Sequence, residues 1–474
     1  MEKSTMISSV LSSISGAVNA SEDALRLIIS IFLGLPIALL HRYMLYGKTP
    51  VYQHLYFITC GVLTCYWNFG FDTVHSTVAL CFTYFILKLL GGTSASVFIT
   101  LVFNMSYLLY GYYATSTSDY DIKWTMPQCV LTLRLIGLAF NVLDGRKSED
   151  KLSASQRKVA LKEKPTFLEI AAYMYFPGSF LVGPQFSMKR YLDYVNGRLM
   201  DDNSKRNPTE LPDCVVPGIS RMGVGILYMA LYQLGSSYIS DQYLLGLEFR
   251  KQSFLKRLLL LGIWGQINLY KYICCWLLTE GVCTTFGLTY SGKDDKGQPL
   301  WNGCENVKLL TFETANRFNH YIMSFNINTN TWSAEYVYKR VKFLGSKLYS
   351  QFITLLFLAV WHGLHSGYYV CFFLEFIIMY AERDLTAMLE KQEKLQSLLK
   401  AHRELRILFW ILTKIYTFVF MGYCLVCFVL LSFSRYHQVY SSVYYCGHII
   451  YLSYPIVSIL IKKFLLKKAS RKSE

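Results

Sequence analysis

Charge is scarce in this chain. Only 16% of its 474 residues are Asp, Glu, Lys or Arg, against about a quarter in water-soluble domains, and mean hydropathy is +0.29. That balance favours a bilayer over water as the solvent. Histidine is scarce too, at 9 residues, and His41, His54, His75, His320, His402, His437 and His448 are scattered along the chain. The clustered histidine boxes of a membrane iron oxidase are therefore missing. No H-E-x-x-H arrangement occurs, and the remaining pair, His362-x-x-His365, has no adjacent carboxylate. No metal site is expected. CxxC spacing occurs once, at Cys424 and Cys427, inside an apolar block like most of the 13 cysteines. The cysteines read as small buried residues without structural disulfides. Period-two alternation in short segments, the mark of a membrane β-barrel, is lacking. So is a basic start leading into a compact apolar core within residues 1–20, and no cleavable signal peptide is expected.

What the chain does have is long apolar blocks. Those at 24–40, 55–69, 76–90 and 95–114 are each about the length needed to cross ~30 Å of hydrocarbon as a helix. Backbone groups in lipid must be satisfied internally, so helices are the expected spanning element. Further blocks lie at 125–143, 168–182, 215–239, 258–286, 352–380, 408–433 and 443–461. The expected fold is all-α, a polytopic integral membrane protein with roughly ten or eleven transmembrane helices. A short polar segment (1–23) precedes the membrane domain (24–461), and a basic tail (462–474) follows it.

Local signals refine this outline. Ser21 is placed to cap the first membrane helix, with Glu22 and Asp23 in its first turn. Asn19-Ala20-Ser21 has the form of a glycosylation sequon, as does Asn104-Met105-Ser106 within an apolar block. Arg134 interrupts one span, and a charge there is expected to face protein or water. Pro177-Gly178 breaks another, with Gly183-Pro184 close behind; breaks at membrane depth are tolerated where protein or a cavity surrounds them. Lys271 and Glu280 share a span at a spacing of more than two turns, so each is free to pair with another helix. Residues 291–307 form a polar, glycine-containing loop, and 383–406 reads as an interfacial amphipathic helix with a gap at Gln392.

Net charge is +16. Many basic residues cluster in connections, from Arg146 to Lys164 and from Lys462 to Lys472, which the positive-inside bias places on the cytosolic side. Anionic headgroups and a polyanionic cofactor, rather than nucleic acid, are the expected partners. The 37 Tyr and 31 Phe suit headgroup-level positions near block ends, as at Tyr43, Tyr46, Tyr52 and Tyr56.

Two constellations carry chemistry. The island Trp361-His362-Gly363-Leu364-His365-Ser366-Gly367 sits within an apolar stretch. An ionisable residue in such a setting is a functional candidate, and neutral imidazole accepts a proton near pH 7. His365 and Ser366 follow at i+3 and i+4 and are expected to share the helical face of His362. The competing role is helix bridging by hydrogen bonds. The second constellation, Ser324 to Trp332, alternates Asn326, Asn328 and Asn330. Three amides in lipid are costly unless they bind something or one another. Asn330 or Thr331 is placed to cap a following helix, which carries Lys339, Arg340, Lys342 and Lys347. Those cations form either a headgroup anchor or a phosphate-binding rim.

Four segments together, Tyr120–Pro127, Phe180–Ser187, Ser324–Trp332 and Trp361–Tyr368, give the chain a specific resemblance to the membrane-bound O-acyltransferase family. The resemblance implies that the family's histidine falls on His362 and its partner asparagine on Asn326. The F-Y-x-D-W-W-N signature of the sterol and diacylglycerol branch is absent, which favours the lysophospholipid branch. The implied reaction moves a long-chain, polyunsaturated acyl group from acyl-CoA to the sn-2 hydroxyl of lysophosphatidylcholine, lysophosphatidylethanolamine or lysophosphatidylserine. His362 would act as base and Asn326 as orienting or oxyanion-binding group. Asn328, Asn330, Trp332, Lys339, Arg340, Lys342, Trp361, His365 and Ser366 are the candidate substrate-binding residues. Acyl-CoA would be a co-substrate, with no cofactor held permanently, and lysophospholipid and membrane lipids the other partners; oligomeric state is left open. Direct transfer is expected, because no cysteine or serine is clearly placed as an activated nucleophile; Ser366, near His362, is the obvious candidate for the rival covalent route. The resemblance also implies an endoplasmic reticulum membrane, and the Arg471-Lys472 tail resembles a dilysine signal on a cytosolic C-terminus. A transporter or lipid-binding protein using the same polar island would be expected to carry paired, broken repeats, and none is seen.

Overall fold

The computed structural model describes residues 9–16, 20–117, 122–199 and 213–470, with side chains as far as 463. The sequon residue Asn19, the Tyr120-Asp121 start of the first family-like segment and the Arg471-Lys472 signal lie outside the described residues, as do residues 200–212. Regular structure among those described is helical, apart from a single bridge between Lys293 and Pro299 in the 291–307 loop. Among the described residues, seven helical runs are long and apolar enough to cross a membrane, or eight if the bent pair Phe433–Ser442 and Cys446–Lys463, at 81° to each other, is one span. That is fewer than the hydropathy blocks suggested, for structural reasons. Two blocks join in one run, Pro50–Leu90. The 168–182 block yields only the helix Phe167–Met174, and the 352–380 block is divided between Lys347–His362 and Ser366–Glu390.

Two compact units interleave along the sequence. One comprises Met1–Met229, Tyr272–Val307 and Asn326–Arg340; the other comprises Ala230–Lys271, Lys308–Phe325 and Val341–Glu474. In the first unit, helix Glu22–Leu40 starts as its sequence dictates. Ser21 accepts the Ala24 N–H at 3.2 Å, and two carboxylates stand in the first turn. Helix Phe167–Met174 opens with a capping box in which Thr166 and Glu169 exchange hydrogen bonds. Its core joins Phe57, Phe176, Tyr191, Tyr194 and Phe286. The second unit packs Trp264, Leu374, Ile378, Tyr423, Cys427 and Tyr440. Leu33, Leu63, Phe98, Leu234 and Leu412 remain exposed on long helices, as expected where the surrounding solvent is lipid tails. All thirteen cysteines are free thiols.

Arg134 shows how a charge inside a span is used. It lies on the most buried of the spanning helices, Thr125–Asp144, and is 2% exposed. The helix Phe167–Met174 stops at Tyr175, and irregular chain follows to Ser187. The carbonyls freed by that break need donors. Arg134 supplies them, donating to Tyr173 O at 3.1 Å, Ser179 O at 3.2 Å, Pro184 O at 3.1 Å, and the side chains of Ser179 and Gln185 at 2.6 and 3.2 Å. The rings of Tyr173 and Phe186 flank the guanidinium. Arg134→Met should orphan these carbonyls and cost at least about 3 kcal/mol. A depressed thermal midpoint in detergent would register it, and an unchanged midpoint would show that the segment stands without the guanidinium.

Two expectations about helices change. Residues 383–406 are not one interfacial helix. Ser366–Glu390 runs into them, Glu393–Ala401 forms a short exposed helix beyond the break at Gln392, and Arg403–Leu430 begins there. Asn330 and Thr331 do not cap a helix either. They lie inside Ile327–Ser333, whose N-cap is Asn326.

Candidate active site

His362 is the last residue of helix Lys347–His362, begun by Ser346, which accepts the Tyr349 N–H at 3.3 Å. The helix ends there because Gly363 takes φ 134° and ψ −165°, a conformation essentially confined to glycine. A new helix, Ser366–Glu390, starts behind His365. The expectation that His365 and Ser366 share the helical face of His362 is therefore corrected: the helix breaks between them. The break is fastened by Gly367, whose N–H donates to Leu431 O at 2.9 Å. A Cβ at 367 would collide with the backbone of Cys427 at the end of helix Arg403–Leu430, so only glycine permits this approach.

Four aromatic rings hold the imidazole. Trp361 lies at 4.5 Å between centroids, Phe428 at 5.1 Å, Phe372 at 5.4 Å and Tyr368 at 5.5 Å. Trp361 and Tyr368 are themselves buried. No hydrogen bond joins either ring nitrogen of His362 to another group among the described residues. The imidazole is thus fixed by packing while its nitrogens stay open. That argues against helix bridging, which would occupy them. His365 meets the Tyr368 ring at 6.2 Å, and Ser366 Oγ lies 3.1 Å from Tyr436 Oη. Ser366 is thereby turned to a tyrosine, not to His362. Ser366→Ala should keep acyl transfer well above the level of His362→Ala in one assay; equal losses would restore a covalent route.

The amide cluster belongs to the first unit, whereas His362 belongs to the second. Asn326 takes a left-handed conformation, φ 51° and ψ 44°, which asparagine tolerates better than most side chains. Its carbonyl accepts the Asn330 N–H at 3.0 Å and starts helix Ile327–Ser333. Its side-chain amide has no hydrogen-bond partner among the described residues. Asn328 is used structurally. Its N–H donates to Asn306 Oδ1 at 2.9 Å and its Nδ2 to Cys304 O at 3.1 Å. Asn330 lies on the same short helix, its carbonyl accepting from Ser333 Oγ at 3.0 Å. Trp332 Nε1 donates to Leu133 O at 2.9 Å, and its ring packs on Tyr336 at 5.2 Å.

The cations of the expected phosphate rim are partly committed. Lys339 pairs with Glu335 and donates to Ser155 Oγ at 3.0 Å. Arg340 pairs with buried Asp144, its second contact at 3.0 Å, and covers the Phe140 ring at 4.7 Å. Lys342 opens the short turn Lys342–Leu344 in the second unit. The structure adds residues that were not singled out, Tyr368, Phe372 and Phe428 around His362 and Arg221 and Asn306 behind the asparagines, and it gives Glu280, already noted as a charge within its span, Arg221 and Asn306 as partners. Arg221 had a visible signal, as the only charge in the apolar helix Val215–Tyr238.

The model of the membrane-bound O-acyltransferase family matches residues 109–432. The chain belongs to that family. The match covers both the Asn326 helix and the His362 break. Over 461 residues the chain is 44% identical to human lysophospholipid acyltransferase 5, covering 97% of this chain and 93% of the relative. A Drosophila melanogaster protein of the same name is 44% identical, covering 92% and 87%. An Arabidopsis thaliana relative named lysophospholipid acyltransferase 1 is 27% identical, covering 97% and 98%. Similarity thus runs along nearly the whole membrane-bound O-acyltransferase chain, both compact units included.

Proposed function

We propose that the protein is a lysophospholipid acyltransferase, moving a long-chain, polyunsaturated acyl group from acyl-CoA to the sn-2 hydroxyl of lysophosphatidylcholine, lysophosphatidylethanolamine or lysophosphatidylserine. The observation that carries this reading is His362, held by aromatic rings with both nitrogens unengaged among the described residues. A base needs a fixed position and an open lone pair. His362 takes the hydroxyl proton as the sn-2 oxygen attacks the thioester carbonyl. A C–O bond forms, and the carbonyl oxygen becomes an oxyanion to which the Asn326 amide donates a hydrogen bond. The oxyanion collapses, the C–S bond breaks, and the imidazolium returns the proton to the departing thiolate. Free CoA and a diacyl phospholipid result. Acyl-CoA is a co-substrate in this scheme and no resident cofactor is needed. The names of the relatives support the acceptor class. The resemblance supports an endoplasmic reticulum membrane with a cytosolic C-terminus.

The test supplies membranes containing the protein with labelled polyunsaturated acyl-CoA and 1-acyl lysophosphatidylcholine, then digests the product with phospholipase A2. The expected result is labelled phosphatidylcholine that releases all its label as free fatty acid. Label retained at sn-1, or transfer only to sterol or diacylglycerol, would overturn the proposal.

A further inference from the structure

Glu280 lies near the end of helix Phe254–Phe286 and is 4% exposed. An isolated carboxylate at such a place would be very costly, so its partners define its use. Arg221 donates from Nε to Oε2 at 2.8 Å and brings a second nitrogen to 2.7 Å. The other oxygen, Oε1, accepts the Asn306 N–H at 2.7 Å. Arg221 also donates to Val307 O at 2.8 Å. The ion pair therefore grips two consecutive residues of the loop, one through its N–H and the next through its carbonyl.

Asn306 passes that restraint on. Its carbonyl accepts the Ile327 N–H at 3.1 Å, and its Oδ1 accepts the Asn328 N–H at 2.9 Å. These are the first two amides of helix Ile327–Ser333, which lack partners within the helix. The residue just before them is Asn326, in a left-handed conformation that most side chains avoid and that its surroundings must maintain. A cavity of about 120 Å³, lined by Arg221, Glu280, Thr284, Thr289, Trp301 and Glu305, borders the ion pair. A void of that size and polarity has room for several waters, which would offset part of the desolvation of the pair.

We propose that Glu280, through Arg221 and Asn306, is a positioning residue that aims the Asn326 amide. The proposal rests on the reading of Asn326 as a catalytic group. All the bonds run within one compact unit, and none leaves the Asn326 side chain engaged. Glu280→Gln keeps the shape but can accept on only one of its two terminal atoms. Its amide nitrogen must then face either the guanidinium or the Asn306 N–H, both donors. Asn306→Ala removes only the acceptor for the Asn328 N–H and leaves the ion pair intact.

The experiment uses the purified full-length protein with polyunsaturated acyl-CoA and lysophosphatidylcholine. It measures kcat, both KM values and the thermal midpoint for wild type, Asn306→Ala, Glu280→Gln and Asn326→Ala. Loss of aim should lower kcat on the order of 10- to 100-fold in Asn306→Ala and Glu280→Gln while both KM values stay within about twofold. Wild-type kcat in Asn306→Ala, or a loss that only follows the folded fraction, would overturn the relay. Should Glu280→Gln not fold, Asn306→Ala decides alone. If Asn326→Ala itself turns over at the wild-type rate, the catalytic reading fails; if Asn326→Ala is impaired while Asn306→Ala is not, only the relay fails.

Discussion

Replacing His362 with alanine should reduce acyl transfer on the order of 10²- to 10⁴-fold, the largest single effect expected in this protein. The size follows from the role. In the proposed reaction the acceptor hydroxyl is a weak nucleophile until its proton is taken, and among the described residues no other histidine packs against the His362 ring. Trp361, Tyr368, Phe372 and Phe428 do, and none of them is a base near neutral pH. The aromatic clamp also sets the form of the loss. It would remain around an empty place, so substrate affinity should change less than turnover. An initial-rate assay with labelled acyl-CoA checks this: kcat should collapse while KM values move by a few-fold at most.

The second large effect is expected at Asn326. Asn326→Ala should lower kcat on the order of 10²- to 10³-fold, the range seen when one oxyanion donor is removed. Two features separate this from loss of a structural residue. The amide makes no hydrogen bond among the described residues, so truncation breaks no internal bond. The conformation at 326 is left-handed, however, and alanine suits it less well than asparagine. Asn326→Gly is the fitting control, because glycine accepts that conformation and also lacks the amide. Both variants should lose kcat alike. If glycine restored turnover and alanine did not, backbone shape rather than the amide would explain the effect.

The helical membrane architecture was legible because long apolar blocks leave few alternatives once the solvent is lipid. Ser21 marked a helix start by local chemistry, and Arg134 stood out as a charge that had to face protein or water, whereas the freed carbonyls it serves came only with the fold. The divided helix at Gly363 was less legible. Residues 352–380 read as one apolar run, and a glycine inside such a run is usually accommodated without a break. The turn depends on φ 134° at that one residue and on Gly367 meeting the backbone of Cys427. Long-range pairing was beyond a single sequence. Arg221 and Glu280 are 59 residues apart, and Trp332 reaches a carbonyl 199 residues away. Hydropathy pointed to Glu280 and the asparagine-rich segment to Trp332, but neither offered a means of choosing their partners. The asparagine cluster divides in the same way. Alternation showed that three amides needed employment, whereas only the fold separates Asn328, tied to Asn306 and Cys304, from the unengaged Asn326.

The proposed role of His362 is to move the proton in acyl transfer to a lysophospholipid. It is tested most directly by single turnover of purified His362→Gln with labelled acyl-CoA and lysophosphatidylcholine, beside equilibrium binding of each substrate. Glutamine fills the ring clamp with a polar side chain that cannot act as a base. Both substrates should bind near their wild-type affinities, and no labelled phosphatidylcholine should form on the wild-type timescale. Product formation at the wild-type rate would contradict that role.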